Sequence, residues 1–288
     1  MGLSWQQGPL GRNPNGRFLV PGMPERVLYA EPLRRRMRAE LGGRTVVQSD
    51  GAVVLYEPGR YPVAYFPTED FADGVLWPID HRSKHPDLGT TAWFAVTAGD
   101  RRAPRGAWEH VALPEHAELL AGKVALAWRA MDAFYEEDER ILGHAADPYH
   151  RIDVRRSSRR LIVRDGDGAV VADSAAPLVL YESGFAPRWY VPRADVRADA
   201  LTPVDTQTFC PYKGIASYYD VGGAEGAAWS YRAPIDEMVA ITEMVSFEPD
   251  RVEVTLDGER LEAEGGQGVV AHGVDRNLSV DESGALTA

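Results

Sequence analysis

Residues 55–89 return 125 positions later without a gap. Leu55-Tyr56-Glu57-Pro58-Gly59 becomes Leu180-Tyr181-Glu182-Ser183-Gly184, and Leu76-Trp77-Pro78-Ile79-Asp80 becomes Leu201-Thr202-Pro203-Val204-Asp205. His85-Pro86-Asp87-Leu88-Gly89 matches Cys210-Pro211-Tyr212-Lys213-Gly214. A repeat of this length at one fixed offset means two copies of one domain. It also supplies an internal control: residues kept in both copies answer first to the fold, and residues that differ can carry chemistry in one copy alone.

A chain of 288 residues is long for one domain and comfortable for two, each able to bury a core without disulfides or metal. Acidic residues outnumber basic ones 43 to 31, and the net charge of -12 disfavours binding to nucleic acid or anionic lipid. The basic run Arg34-Arg35-Arg36-Met37-Arg38 is short and flanked by Glu31 and Glu40, which suits intramolecular ion pairing. No stretch reaches the roughly 18 apolar residues of a membrane span, and Met1-Gly2-Leu3-Ser4-Trp5-Gln6 lacks a charged region followed by an apolar one. The expectation is a cytoplasmic chain with no membrane or nucleic-acid partner. The single cysteine, Cys210, excludes an internal disulfide and any zinc site built on paired cysteines.

Short runs of β-branched and aromatic residues dominate both copies: Thr45-Val46-Val47, Ala52-Val53-Val54-Leu55-Tyr56 and Val63-Ala64-Tyr65-Phe66, then Arg160-Leu161-Ile162-Val163, Pro177-Leu178-Val179-Leu180-Tyr181 and Arg188-Trp189-Tyr190-Val191. Asp-Gly and Pro-Gly turns separate them, the pattern of antiparallel strands. Residues 1–42, rich in Gly, Pro and Arg, read as an N-terminal arm. The first β domain follows at 43–142, a linker at 143–151, the second β domain at 152–260 and a C-terminal tail at 261–288. Within 124–140, Val124, Ala127, Trp128, Met131, Phe134 and Tyr135 recur at three- and four-residue spacing, which predicts a connecting helix. Its counterpart at 239–247 is richer in β formers, so an extended conformation is open for one or both.

Chemistry concentrates where the copies differ. Cys210 can act as a nucleophile if its pKa is lowered, and the ammonium of Lys213, brought round by the turn that Pro211 and Gly214 signal, could lower it. The competing reading packs Cys210 as a small buried hydrophobe and leaves Lys213 in solvent. The first copy puts His85 and Leu88 in these places, so the Cys-Lys pair is dispensable to folding. His85, His81 and Asp80 lie close in sequence, but no helix brings them together, and no metal site is expected. Asp80 with Asp205, Glu57 with Glu182 and Asp70 with Asp195 are shared acids, suited to capping turns. Asp205 and Glu182 also remain candidates for proton transfer. Strand alternation puts Glu182 on the face opposite Tyr181, where burial would raise its pKa. Tyr212, Tyr218, Trp229 and Tyr231, with Thr206 and Thr208, are candidate walls of a pocket for a small polar molecule.

The set Leu180-Tyr181-Glu182, Asp205-Thr206, Cys210-Pro211-Tyr212-Lys213-Gly214, Ser217-Tyr218-Tyr219 and Ala228-Trp229-Ser230-Tyr231 resembles the family of the domain of unknown function 427. The divergent first copy extends the resemblance over most of 44–259. Trp128 and Glu136-Glu137-Asp138-Glu139 leading into Asp147-Pro148-Tyr149-His150-Arg151 are similar to the actinobacterial two-domain members. The resemblance implies a compact, mainly β fold similar to the β-tent of methionine-R-sulfoxide reductases. Some classifications give this family a nucleotidyltransferase label. No Walker loop, dinucleotide fingerprint, zincin or nucleophile-elbow motif accompanies it here.

The sequence therefore predicts two tandem antiparallel β domains with an arm and a connecting helix. Function is expected in the second copy or in the crevice between copies. The expectation is an enzyme, or an enzyme-like binder, for a small polar metabolite, with Cys210, Lys213, Asp205 and Glu182 as its reactive groups. A noncatalytic ligand- or protein-binding module is the alternative, and no cofactor is identified.

Overall fold

The fold is that of a computed structural model. It describes residues 26–262 apart from Leu142 and Ala146, together with Leu10, Gly16, Leu19 and two short paired strands, Ser279–Val280 and Leu286–Thr287. Most of the expected arm and C-terminal tail lies outside the described residues. The chain divides into two compact units, Met1–Tyr149 and His150–Ala288.

The first domain is built from β1 (Tyr29–Pro32), β2 (Met37–Leu41), β3 (Arg44–Ser49), β4 (Val53–Tyr56), β5 (Val63–Pro67), β6 (Leu76–His85), β7 (Gly89–Ala98), β8 (Arg101–His110), β9 (Lys123–Leu126), β10 (Ala133–Glu136) and β11 (Glu139–Ile141). They form a seven-stranded sheet, β1-β4-β5-β9-β8-β7-β6, and a four-stranded sheet, β11-β10-β2-β3. The second domain has β12 (Ile152–Arg156), β13 (Leu161–Arg164), β14 (Val170–Ser174), β15 (Leu178–Glu182), β16 (Arg188–Val191), β17 (Leu201–Cys210), β18 (Gly214–Val221), β19 (Ala224–Pro234), β20 (Val245–Phe247), β21 (Glu253–Leu256) and β22 (Glu259–Arg260). Its sheets run β12-β15-β16-β20-β19-β18-β17 and β14-β13-β21-β22, strand for strand the topology of the first. The protein is thus mainly β in two tandem copies.

Period-two alternation gives each long sheet two apolar faces. In the first domain, Val54, Phe66, Val96, Val124 and Leu126 pack with Met37, Ala39, Val46 and Phe134 of the short sheet. Val53, Leu55, Tyr65, Leu88 and Ala125 form a second cluster on the opposite face. The second domain repeats this division: Val191, Val221 and Val245 face the short sheet, and Leu180, Tyr190, Tyr218, Trp229 and Tyr231 line the other side. Burying each large apolar side chain contributes roughly 1.5–3 kcal/mol, so both faces matter to stability. The outermost strands of the long sheets, β6 and β17, each carry a bulge, after Pro78 and after Pro203.

Two expectations are corrected. Residues 124–140 form no helix: β9 is an interior strand paired with β5 and β8, a single 3-10 turn spans Trp128–Ala130, and β10 and β11 make a hairpin. Trp128 and Phe134 stack at 3.9 Å across that turn. The helix-like spacing arises because strand, turn and strand each direct their apolar residues into the same core. The acidic run is the hairpin turn itself, with Glu137 at φ 50°. The second correction concerns the arm, whose residues 29–41 belong to the first domain, with β1 on β4 and β2 between β10 and β3.

Candidate functional site

The buried face of the second long sheet carries a charge cluster. Alternation along β15 turns Leu178, Leu180 and Glu182 to one side and leaves Tyr181 exposed on the other, as the sequence indicated. Glu182 Oε2 accepts a hydrogen bond from Lys213 Nζ at 2.5 Å, and Oε1 accepts one from His150 Nε2 at 2.9 Å. All three side chains are almost fully buried. Lys213 reaches this place because the β17–β18 turn closes with its N–H on the Cys210 carbonyl at 3.2 Å. Gly214 then takes φ +98° against the Ala233 carbonyl. His150 arrives from the other edge, just before β12, whose register pairs Ile152 with Glu182. Its ring stacks on Tyr212 at 4.0 Å. Burial pushes the His150 pKa down, against the pull of Glu182. For Lys213, burial opposes the ammonium, but Cys210 and Glu182 outweigh it and hold the pKa up.

The first domain solves the same problem with different residues. Glu57 occupies the place of Glu182, and His85, at the position of Cys210, puts Nε2 2.7 Å from its Oε1. His85 Nδ1 accepts the N–H groups of Asp87 and Leu88 at 3.2 and 3.1 Å, so Nε2 carries the proton donated to Glu57. Leu88, in the place of Lys213, is an apolar core residue. Arg26 stands where His150 stands, 3.6 Å from Glu57. Each copy therefore buries a glutamate at this place and supplies it with a cation or imidazole from the same hairpin. Nearby, His110 is bonded on both nitrogens, to Tyr65 Oη at 3.0 Å and Thr91 Oγ1 at 3.1 Å. Burial, with His85 adding to it, pushes its pKa down to about 4.

Cys210 ends β17 and is 6 % exposed. It sits at the bottom of a narrow cleft of ≈ 10 Å³, room for about one water, with Arg188, Tyr218, Trp229, Tyr231 and Glu248 around it. Burial pushes the thiol pKa up, and Lys213 only partly offsets this. We expect alkylation of Cys210 in the native protein to be slow and to rise with a midpoint above that of an ordinary thiol, ~8.5. A midpoint near neutrality would restore a resting thiolate.

The remaining sequence candidates separate into groups. Thr208 is buried and shares a 2.9 Å hydrogen bond with Tyr218 Oη. Trp229 Nε1–H donates to Tyr190 Oη at 3.4 Å, repeating the Trp108–Tyr65 bond of the first domain. Tyr231 lies beside them in the same apolar cluster. Thr206 and Asp205 are exposed in the bulged part of β17, as is Asp80 in β6. Asp70 and Asp195 accept hydrogen bonds from Ser49 and Ser174 at 2.5 and 2.6 Å, a brace common to both copies. Among the described residues, no three His, Cys, Asp or Glu side chains are grouped to hold a metal ion. His150 was not singled out from the sequence. It lies in the linker stretch, and its signal is its match, 124 positions on, to Arg26.

Two antiparallel sheets per copy, with a buried glutamate at the matching place in both copies, define a duplicated β-domain protein. The model of the family described as domain of unknown function (DUF427) matches residues 29–137 and again 153–258, and the chain belongs to that family, carrying its domain twice. A comparison with curated proteins found no match.

Proposed function

We propose that the second domain binds a small polar molecule in the open groove across β17, β18 and β19, with Cys210 in the adjoining cleft and not a resting nucleophile. The groove has a volume of ≈ 350 Å³ and is lined by Thr206, Thr208, Tyr218, Asp220, Glu225 and Arg251, among others. That volume suits a small metabolite, and hydroxyls, carboxylates and one aromatic face suit a ligand rich in hydroxyl or amine groups.

The observation that carries this reading is the Thr208–Tyr218 pair, which lines both the groove and the cleft leading to Cys210. Binding is favoured over covalent chemistry because burial keeps the thiol protonated and Lys213 is committed to Glu182. A thermal-shift screen of sugars, polyols, amino acids and amines on the full chain tests it. A true ligand raises the midpoint by mass action, and Thr206→Val, at an exposed position, weakens the effect without lowering basal stability. Consumption of the ligand, or a covalent adduct on Cys210, would favour the enzyme reading instead.

A further inference from the structure

The two copies differ in filling at the mouth of the space between the sheets. In the first domain Trp128 and Phe134 stack face to face at 3.9 Å, with planes within 10°. Tyr56 is 1 % exposed there, covered edge-on by Tyr149 at 5.9 Å, and Ala145 completes the core. Strand pairing fixes the equivalents in the second domain. Phe134 opposite Ala39 corresponds to Val254 opposite Val163. Tyr65 opposite Ala125 corresponds to Tyr190 opposite Ser246, which places Pro249 where the first domain has Trp128. Tyr181, the counterpart of Tyr56, is 47 % exposed.

Loss of two stacked rings leaves a cavity of ≈ 320 Å³ whose lining includes Tyr181, Trp189, Phe247, Pro249, Val254 and Leu256. This is a second place, apart from the groove on β17–β19, although Arg188 borders both it and the Cys210 cleft. Its walls are mostly apolar and aromatic, and its charged rim residues, Arg159, Arg188 and Glu262, include both signs, so it selects for ring shape more than for charge. Arg159 already lies over Trp189 at 5.9 Å, an arrangement that presents the Trp189 ring at the rim.

We propose that this cavity is a binding site for a planar aromatic small molecule, whose ring takes the place held in the first domain by the Trp128–Phe134 stack. A flat ring recovers the offset-stacked and edge contacts that the substitution to Pro249 and Val254 removed, and a saturated ring of similar volume does not.

The test is a titration of the full chain with indole and, separately, with cyclohexanol, followed by the NMR signal of the Trp189 indole N–H. Indole is expected to shift that signal saturably and to bind at least about fivefold more tightly than cyclohexanol. The variant Pro249→Trp with Val254→Phe rebuilds the first domain's stack and is expected to abolish indole binding while keeping the native circular dichroism. Because that variant can also fail to fold, Tyr181→Ser at an exposed position serves as the second probe and should weaken indole by about threefold to tenfold. Failure of indole to bind the native chain, or equal binding to native and Tyr181→Ser protein, overturns the proposal.

Discussion

Lys213→Leu, which installs the first domain's residue, should destabilise the second domain by about 3–5 kcal/mol in urea unfolding, the usual cost of removing one member of a buried ion pair. Leucine suits an apolar position, as Leu88 demonstrates, so the loss is electrostatic: Glu182 keeps His150 but loses the ammonium at 2.5 Å. The decisive measurement is the rescue. Adding Cys210→His to the leucine variant copies the His85–Glu57 arrangement and should recover more than half of the lost stability, a strong positive coupling between two residues on one hairpin. If the two substitutions simply add, the glutamate is not what links these positions. The same cycle bears on Cys210, since a position that accepts either thiol or imidazole to suit its neighbour is first a structural one.

Acid should weaken the first domain through His110. Free histidine titrates near 6.5, while the native environment holds His110 down to about 4. Between those values the unfolded chain binds a proton that the native domain refuses, so stability falls as pH falls through this window and is fully retained above it. At about 1.4 kcal/mol per pH unit the loss approaches roughly 3 kcal/mol. His85 and Glu57 face the same ring and act in opposite directions, the imidazole deepening the effect and the carboxylate moderating it. His110→Gln keeps hydrogen-bonding capacity toward Tyr65 and Thr91 but cannot titrate. Its unfolding midpoint should therefore change less between pH 7 and pH 4 than that of the native chain. Parallel pH profiles for the two proteins would remove His110 as the cause.

Much of the architecture was legible because 55–89 and 180–214 align at a constant offset and their apolar runs alternate as strands do. Beyond Val96 and Val221 the offset drifts: Trp108 corresponds to Trp229 and Phe134 to Val254, and only the ladders reveal it. That drift hid the repeat of β9 and β10 and allowed 124–140 to be read as a helix, since helical spacing and a strand–turn–strand corner place apolar residues alike. At the site, alternation found the inward-facing Glu182 from Leu180 and Tyr181. It could not find what Glu182 touches. Lys213 lies on the same turn as Cys210, and local spacing suggested a partnership between those two, whereas the fold brings β15 beside the turn and supplies a stronger acid. His150 was hidden for the same reason, because an edge strand decides its neighbours and the linker sequence does not.

The bulges in β6 and β17 bear on what can pair with the margins of the long sheets. Each long sheet ends in its hydrogen-bonding order on one of these strands, and a free edge invites a foreign strand to add itself. Pro78 and Pro203 offer no N–H there, the irregular register that follows interrupts the ladder, and exposed Asp80 and Asp205 place a carboxylate where an incoming strand would lie. The acid retained in both copies thus sets a charge against the addition of a foreign strand at that margin of each sheet.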